Sequence, residues 1–225
     1  MLSNRQTAVA VGVLFLTATA TFLTADTLIR SALSRPDFLI AGAAHAVALK
    51  TAALLALVCG IANVAIALLV YPLLKHHSVR LALGYCALRI GELGPILLYL
   101  VSPLLLVALG ERLLDGSVDA SAARHFGSFL HALYAVSLRM VFLFTGMSGI
   151  TFAYLLYRTS LIPRPIAVLG LVGYSMLLVG GILYIFDLID FLQGIGLLFA
   201  WVVGLFELIL PMWLIIRGFN KPAER

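Results

Sequence analysis

Apolar residues run along this chain in six long blocks, with polar residues gathered between them. A block of about 20 apolar residues is long enough to cross the hydrocarbon of a bilayer as a helix. The blocks lie at about 8–29, 51–74, 81–109, 129–157, 166–186 and 195–216. The pattern predicts an all-α fold: a polytopic bundle of six transmembrane helices in a single transmembrane domain, 1–225. The third and fourth blocks exceed the usual length, so they are expected to tilt or to project beyond the bilayer. Pro95 and Pro103 should bend the third and Pro211 the end of the sixth, because proline removes a backbone donor. The start of the chain imitates a secretory signal, with Arg5, an apolar stretch and Ala18-Thr19-Ala20. The apolar run continues to Ile29, however, so it reads as an uncleaved first span.

Composition agrees with this reading. Of 225 residues, 63% are hydrophobic and 11% charged, with a mean hydropathy of +1.11. Soluble domains carry about 25% charged residues, so the bilayer is the expected solvent and the main partner. The net charge of +5 does not mark a nucleic-acid surface, since no basic run exceeds Lys75-His76-His77. With the first end inside, the inner segments hold Arg5, Lys75, Arg80, Arg158, Arg164, Arg217, Lys221 and Arg225, with Glu224 the one acid. The outer segments hold Arg30, Arg35, Lys50, Arg112 and Arg124 among the acids Asp26, Asp37, Glu111, Asp115, Asp119, Asp187 and Asp190. The excess of inner Lys and Arg places both termini in the cytoplasm. Outer segment 31–50 carries Arg35-Pro36-Asp37 and a moderately apolar stretch that suits a short interfacial helix. Segment 111–125 reads as a loop or as the exposed start of the fourth helix, and 187–194 as an acidic hairpin.

Arg89, Glu92, Arg139 and Glu207 are charged residues that stand well inside the apolar blocks. A charge in hydrocarbon costs at least a few kcal/mol, so such residues mark polar foci. Arg89 and Glu92 are three apart and share a helix face. At 1.5 Å per residue, Arg89 lies about 12 Å and Glu207 about 15 Å from the cytoplasmic side, so Glu92 and Glu207 share a depth on different helices. Arg139 lies in the outer half, where it would either flank the carboxylates or snorkel outward. Two Arg and two Glu would make a neutral cluster. It would serve as a packing network or as a pocket for a polar head group or a proton. Glu207, with no Arg within a turn, is the stronger candidate for a titrating carboxylate.

Other chemistry is weakly supported. His125, His131 and Tyr134 would need Asp187, Asp190 or Glu111 to complete a metal site. Cys59 and Cys86 read as buried packing residues, and the aspartates of 187–194 as solvated turn residues. Thr145, Ser148 and Thr151 are expected to bond back to helix carbonyls. Gly146 and Gly149, Gly170 and Gly173, and Gly180-Gly181 are expected at close helix contacts. No phosphate loop, HExxH, GxSxG or CxxC occurs, and no metal or organic cofactor is expected. A short internal match relates Arg80-Leu-Ala-Leu-Gly-Tyr85 to Ala167-Val-Leu-Gly170 and Gly173-Tyr174, and is too brief to establish a repeat.

Three stretches resemble a known family. They are Tyr71-Pro72-Leu73-Leu74 leading to Arg89-Ile90-Gly91-Glu92; Gly149 and Leu155-Leu156-Tyr157-Arg158-Thr159-Ser160-Leu161-Ile162-Pro163-Arg164, with Gly170, Gly173 and Tyr174; and Glu207 with Trp213 through Gly218-Phe219-Asn220. Together they resemble the bacterial integral membrane proteins grouped as DUF4386. The resemblance implies a multi-pass protein of a prokaryotic plasma (inner) membrane and brings no activity with it. The leading functional reading is non-catalytic: binding, sensing or transport of a small amphipathic molecule or lipid at Arg89, Glu92, Arg139 and Glu207. An intramembrane enzyme acting on a lipid, with Glu92 or Glu207 as base, is one alternative. An accessory subunit of a membrane complex is the other, and a homo-oligomer is compatible with each.

Overall fold

A computed structural model describes residues 3–34, 37–190, 194 and 196–220. The sequence features at Arg35, Pro36, Ile195, Lys221, Glu224 and Arg225 lie outside these. Eight helices follow one another among the described residues: α1 (Asn4–Leu33), α2 (Phe38–Ala44), α3 (Ala46–Leu74), α4 (Val79–Gly91), α5 (Leu93–Leu114), α6 (Ala120–Thr159), α7 (Arg164–Ile185) and α8 (Gly196–Ile216). No strand occurs among them. Six segments are long and apolar enough to cross a membrane: α1, α3, α4 with α5, α6, α7 and α8. The protein is an all-α, multi-pass membrane protein.

Local chemistry sets the helix ends. The Ser78 hydroxyl accepts the Leu81 amide at 3.3 Å and caps α4, as side-chain oxygens do at helix starts. Pro165 sits in the first turn of α7, where its missing N–H is not needed. Gly218, at φ +81°, closes α8 by donating its amide to the Trp213 and Leu214 carbonyls at 3.3 and 3.0 Å.

Several boundaries differ from the sequence reading. Segment 31–50 is mostly helical, because α1 runs on to Leu33 and α3 starts at Ala46, with only α2 as a separate short helix. Helix α6 begins at Ala120, so the second half of 111–125 is the start of that helix. The helical hydrogen-bond ladder of the third span is interrupted at Glu92, three residues before Pro95, although Glu92 itself keeps helical dihedrals (φ −61°, ψ −24°). Pro95 falls in the first turn of α5, where an absent amide is harmless, and it leaves the Gly91 carbonyl without its usual donor. Helices α3, α5 and α8 continue through Pro72, Pro103 and Pro211 respectively.

The helices gather into two compact units. One comprises Met1–Ala18, Ile61–Glu92 and Arg139–Arg225, and the other Thr19–Gly60 and Leu93–Leu138. Helices α1, α3 and α6 contribute to both.

In the first unit glycine lets backbones meet. A Cβ on Gly173 would stand 2.9 Å from the Val203 Cα, and one on Gly146 would stand 2.9 Å from the Leu178 Cα. Gly12 brings α1 within reach of the Pro211 carbonyl and the Ile215 side chain. Arg5 completes that contact by donating to the Leu214 and Ile215 carbonyls at 3.3 and 2.6 Å, at the electronegative end of α8. The expected glycine contacts at 146, 149, 170, 173 and 181 are therefore present.

In the second unit α2 nests on α5 and α6. The Leu39 side chain fills the space beside Gly127, and its carbonyl lies against Gly110. Away from these contacts the helix surfaces stay apolar: Trp201, Leu205, Leu208 and Met212 on α8 are more than half exposed. That is the pattern expected where lipid is the solvent.

Candidate polar site in the first unit

The interruption of the third span places Arg89 in the last turn of α4 and Glu92 at its C-cap. Arg89 Nη1 donates to Glu92 Oε2 at 2.8 Å, and the side chains are each only 2% exposed. The other carboxylate oxygen, Glu92 Oε1, lies 2.5 Å from Thr145 Oγ1 on α6, and the same hydroxyl lies 2.8 Å from the Val141 carbonyl. The single Thr145 proton is thus shared between the carbonyl of its own helix, as its position predicted, and the Glu92 carboxylate.

Two tyrosines complete the site, and both are fully buried. Tyr85 lies one turn before Arg89, with the guanidinium carbon 5.8 Å from its ring centroid. Its ring stacks on Phe152 at 5.0 Å and 13°, and Phe152 stacks in turn on Phe15 at 5.8 Å and 22°. Tyr174 of α7 donates its hydroxyl to Glu207 Oε1 of α8 at 3.0 Å. Gly149 of α6 makes room for the Tyr174 ring, since a Cβ there would overlap it. Arg89 is in electrostatic reach of Glu92, Tyr85 and Tyr174 together. Helices α4, α6, α7 and α8 therefore deliver the polar groups, and α1 helps to hold Tyr85 through Phe15.

A model of the family described as "Domain of unknown function (DUF4386)" matches residues 10–218. The chain belongs to the DUF4386 family. No curated protein and no solved structure matches it. The DUF4386 match spans Arg89, Glu92, Arg139 and Glu207 and carries no chemistry of its own.

Of the four charged residues singled out in this DUF4386 chain, Arg89 and Glu92 pair directly and Glu207 is held by the Tyr174 hydroxyl, with Arg89 in electrostatic reach of that tyrosine. Arg139 does not flank the carboxylates. Its Nη2 donates to Asp187 Oδ1 at 2.7 Å, and its guanidinium covers the Tyr184 ring at 4.6 Å. Asp187 follows α7 at φ +54°, and its side chain is 74% exposed. Pairing with a hydrated carboxylate avoids the desolvation that an inward Arg139 would incur.

The histidines considered for metal bind locally. His125 Nδ1 lies 2.7 Å from the Ser121 carbonyl, and His131 packs between the Phe38 and Tyr134 rings at 5.2 and 6.3 Å. Among the described residues no three His, Cys, Asp or Glu side chains converge.

Tyr85, Tyr174 and the pairing role of Thr145 were not singled out as site residues by sequence. The two tyrosines end the two halves of the short internal match, which was the available signal. A second polar focus, in the other unit, was also missed. Asp26 pairs with Arg30 at 2.5 Å and accepts the Tyr99 hydroxyl at 3.3 Å. Asp26 was counted with the outer acids because it lies in the last turn of the first apolar run, 8–29, whereas α1 continues one turn beyond that run.

Proposed function

We propose that this protein is a non-catalytic binder of a small amphipathic molecule or lipid, which it senses or moves through the polar site of the first unit. The observation that carries the reading is the ion pair Arg89–Glu92, 2% exposed, at the interruption of a membrane-spanning helix. A proline within a span leaves one backbone carbonyl without its donor, and polar groups at membrane depth are tolerated beside such turns. Four helices contribute polar groups to one place, which also suits a site that changes when they shift. Arg139 serves this reading as an outer tie between α6 and the end of α7.

The excess of Lys and Arg on one set of segments supports a plasma membrane location with both termini in the cytoplasm. Six crossings return the chain to its starting side, and Arg5 beside the last turn of α8 fits that path. A prokaryotic inner membrane is the setting the family resemblance suggests.

Native mass spectrometry of the protein extracted in mild detergent tests the reading. The expected result is one retained amphiphile, lost from the Arg89→Leu/Glu92→Leu double variant, which removes the charges without stranding either. An empty wild-type protein with normal folding would reduce the cluster to a packing network. A protein partner in fixed stoichiometry would favour an accessory subunit.

A further inference from the structure

Two buried donors in the polar site have no acceptor. Arg89 Nε and the Tyr85 hydroxyl are both closed off from solvent, and neither finds an acceptor among the described residues. The guanidinium lies within hydrogen-bonding reach of the phenol oxygen, but that oxygen can only accept from Arg89, so the Tyr85 O–H and the Arg89 Nε–H still need an acceptor. A buried donor left unmet costs about 1–3 kcal/mol, and native proteins rarely leave two together.

The Tyr85 ring cannot easily turn away. It is the end of the Phe15–Phe152–Tyr85 stack, which fixes the direction of the hydroxyl. Arg89 is likewise fixed, because Nη1 is held by Glu92 at 2.8 Å. Both donors are therefore preorganised for one more oxygen.

The charge of that oxygen follows from Glu92. The guanidinium is already neutralised by a carboxylate in contact, so an added anion would bring a second negative charge into a desolvated place. A neutral acceptor carries no such penalty.

We infer that the Arg89–Tyr85 donor pair receives an uncharged carbonyl oxygen, so the ligand is a neutral ester, ketone or amide amphiphile and neither a fatty acid nor a phosphate. This rests on the binding function proposed above and names the class of its ligand.

Methyl decanoate carrying a ¹³C carbonyl is the probe, with decanoic acid and decyl phosphate as charged counterparts of equal chain length. Retention is read by native mass spectrometry, and the bound carbonyl by difference infrared spectroscopy. The expected result is selective retention of the ester, with its carbonyl band moved to lower wavenumber than in detergent alone. Tyr85→Phe, which keeps the stacked ring, should weaken retention about tenfold, as the loss of one buried hydrogen bond does, and should partly reverse the band shift. Arg89→Lys, which keeps the charge and removes Nε, is the second variant and should act in the same direction.

Retention of the acid or the phosphate in preference to the ester, unaffected by Tyr85→Phe, would overturn the ligand class and leave the binding function standing. Ester retention with a band that neither variant moves would likewise overturn the donor assignment alone. A folded protein that retains none of the three would overturn both, leaving the donors as a structural defect or a water site.

Discussion

The two units each contain an ion pair within one helix, and each pair meets a tyrosine, yet water reaches them very differently. In the first, Arg89 and Glu92 are three residues apart and 2% exposed; in the second, Asp26 and Arg30 are four apart, and the side chains are 13% and 35% exposed. The first pair also has Thr145 from a neighbouring helix, and the second has Tyr99 at a longer 3.3 Å. The same chemistry thus plays two parts. Where water reaches an ion pair, its net contribution is small. Where water is excluded, either partner alone becomes a liability, and the pair survives only as a unit.

The largest effect should come from splitting the buried pair. Arg89→Ala strands Glu92 and should destabilise the protein by about 3–5 kcal/mol, whereas Arg30→Ala should cost about 0–1 kcal/mol. Unfolding of both variants in the same detergent measures the contrast. Arg89→Leu/Glu92→Leu should recover most of the loss. If the two single variants behave alike, the difference in solvent access does not control these pairs.

A smaller effect separates their hydroxyl partners. Thr145→Val keeps shape and removes the bond to Glu92, so it should cost about 1–3 kcal/mol. Tyr99→Phe removes the longer bond to the half-buried Asp26 and should cost about 0.5–1.5 kcal/mol. Unfolding midpoints in matched detergent order the two, and the reverse order would contradict the contrast.

The sequence made the first pair easy to see and the second easy to miss. Arg89 and Glu92 stand deep in an uninterrupted apolar block, so their cost was legible from position alone. Asp26 and Arg30 stand where such a block gives way to a polar loop, and there composition does not distinguish an extra helical turn from a loop. Glu207 was legible as a charge, but its hydrogen-bond partner was not, because Tyr174 is of a residue type too common in membrane helices to mark a site. The destination of Arg139 depended on Asp187, 48 positions away, and no local pattern ties the two. The glycine contacts were readable because close helix approach needs small residues whichever helix is the neighbour.

The smallest predicted effect concerns a carboxylate fully in water. The Ser117 side chain and amide hold the Asp115 carboxyl below its usual range, and Arg112 adds to this. A depressed folded-state value means that the stabilisation is complete above the ordinary carboxylate range, near 3.9, and is lost as the pH falls through the lower folded value. Asp115→Asn should therefore be slightly less stable than the parent at neutral pH and equal to it in strong acid. Unfolding of the two proteins across that range, in a detergent that tolerates acid, reads the difference. A gap that persists in acid would mean that the residue acts through its shape and not its charge.

Arg5 and the carbonyls it caps are 209 and 210 positions apart. During synthesis the first helix enters the membrane long before its eventual partner exists. Until α8 is made, that guanidinium has to be satisfied by water or lipid phosphate. Closing the contact is thus among the last steps available to the growing chain, and it joins the oldest helix to the youngest. A ribosome that stops before α8 leaves the first helix without its clasp, which gives a quality-control system a difference between finished and unfinished protein to read at the membrane surface.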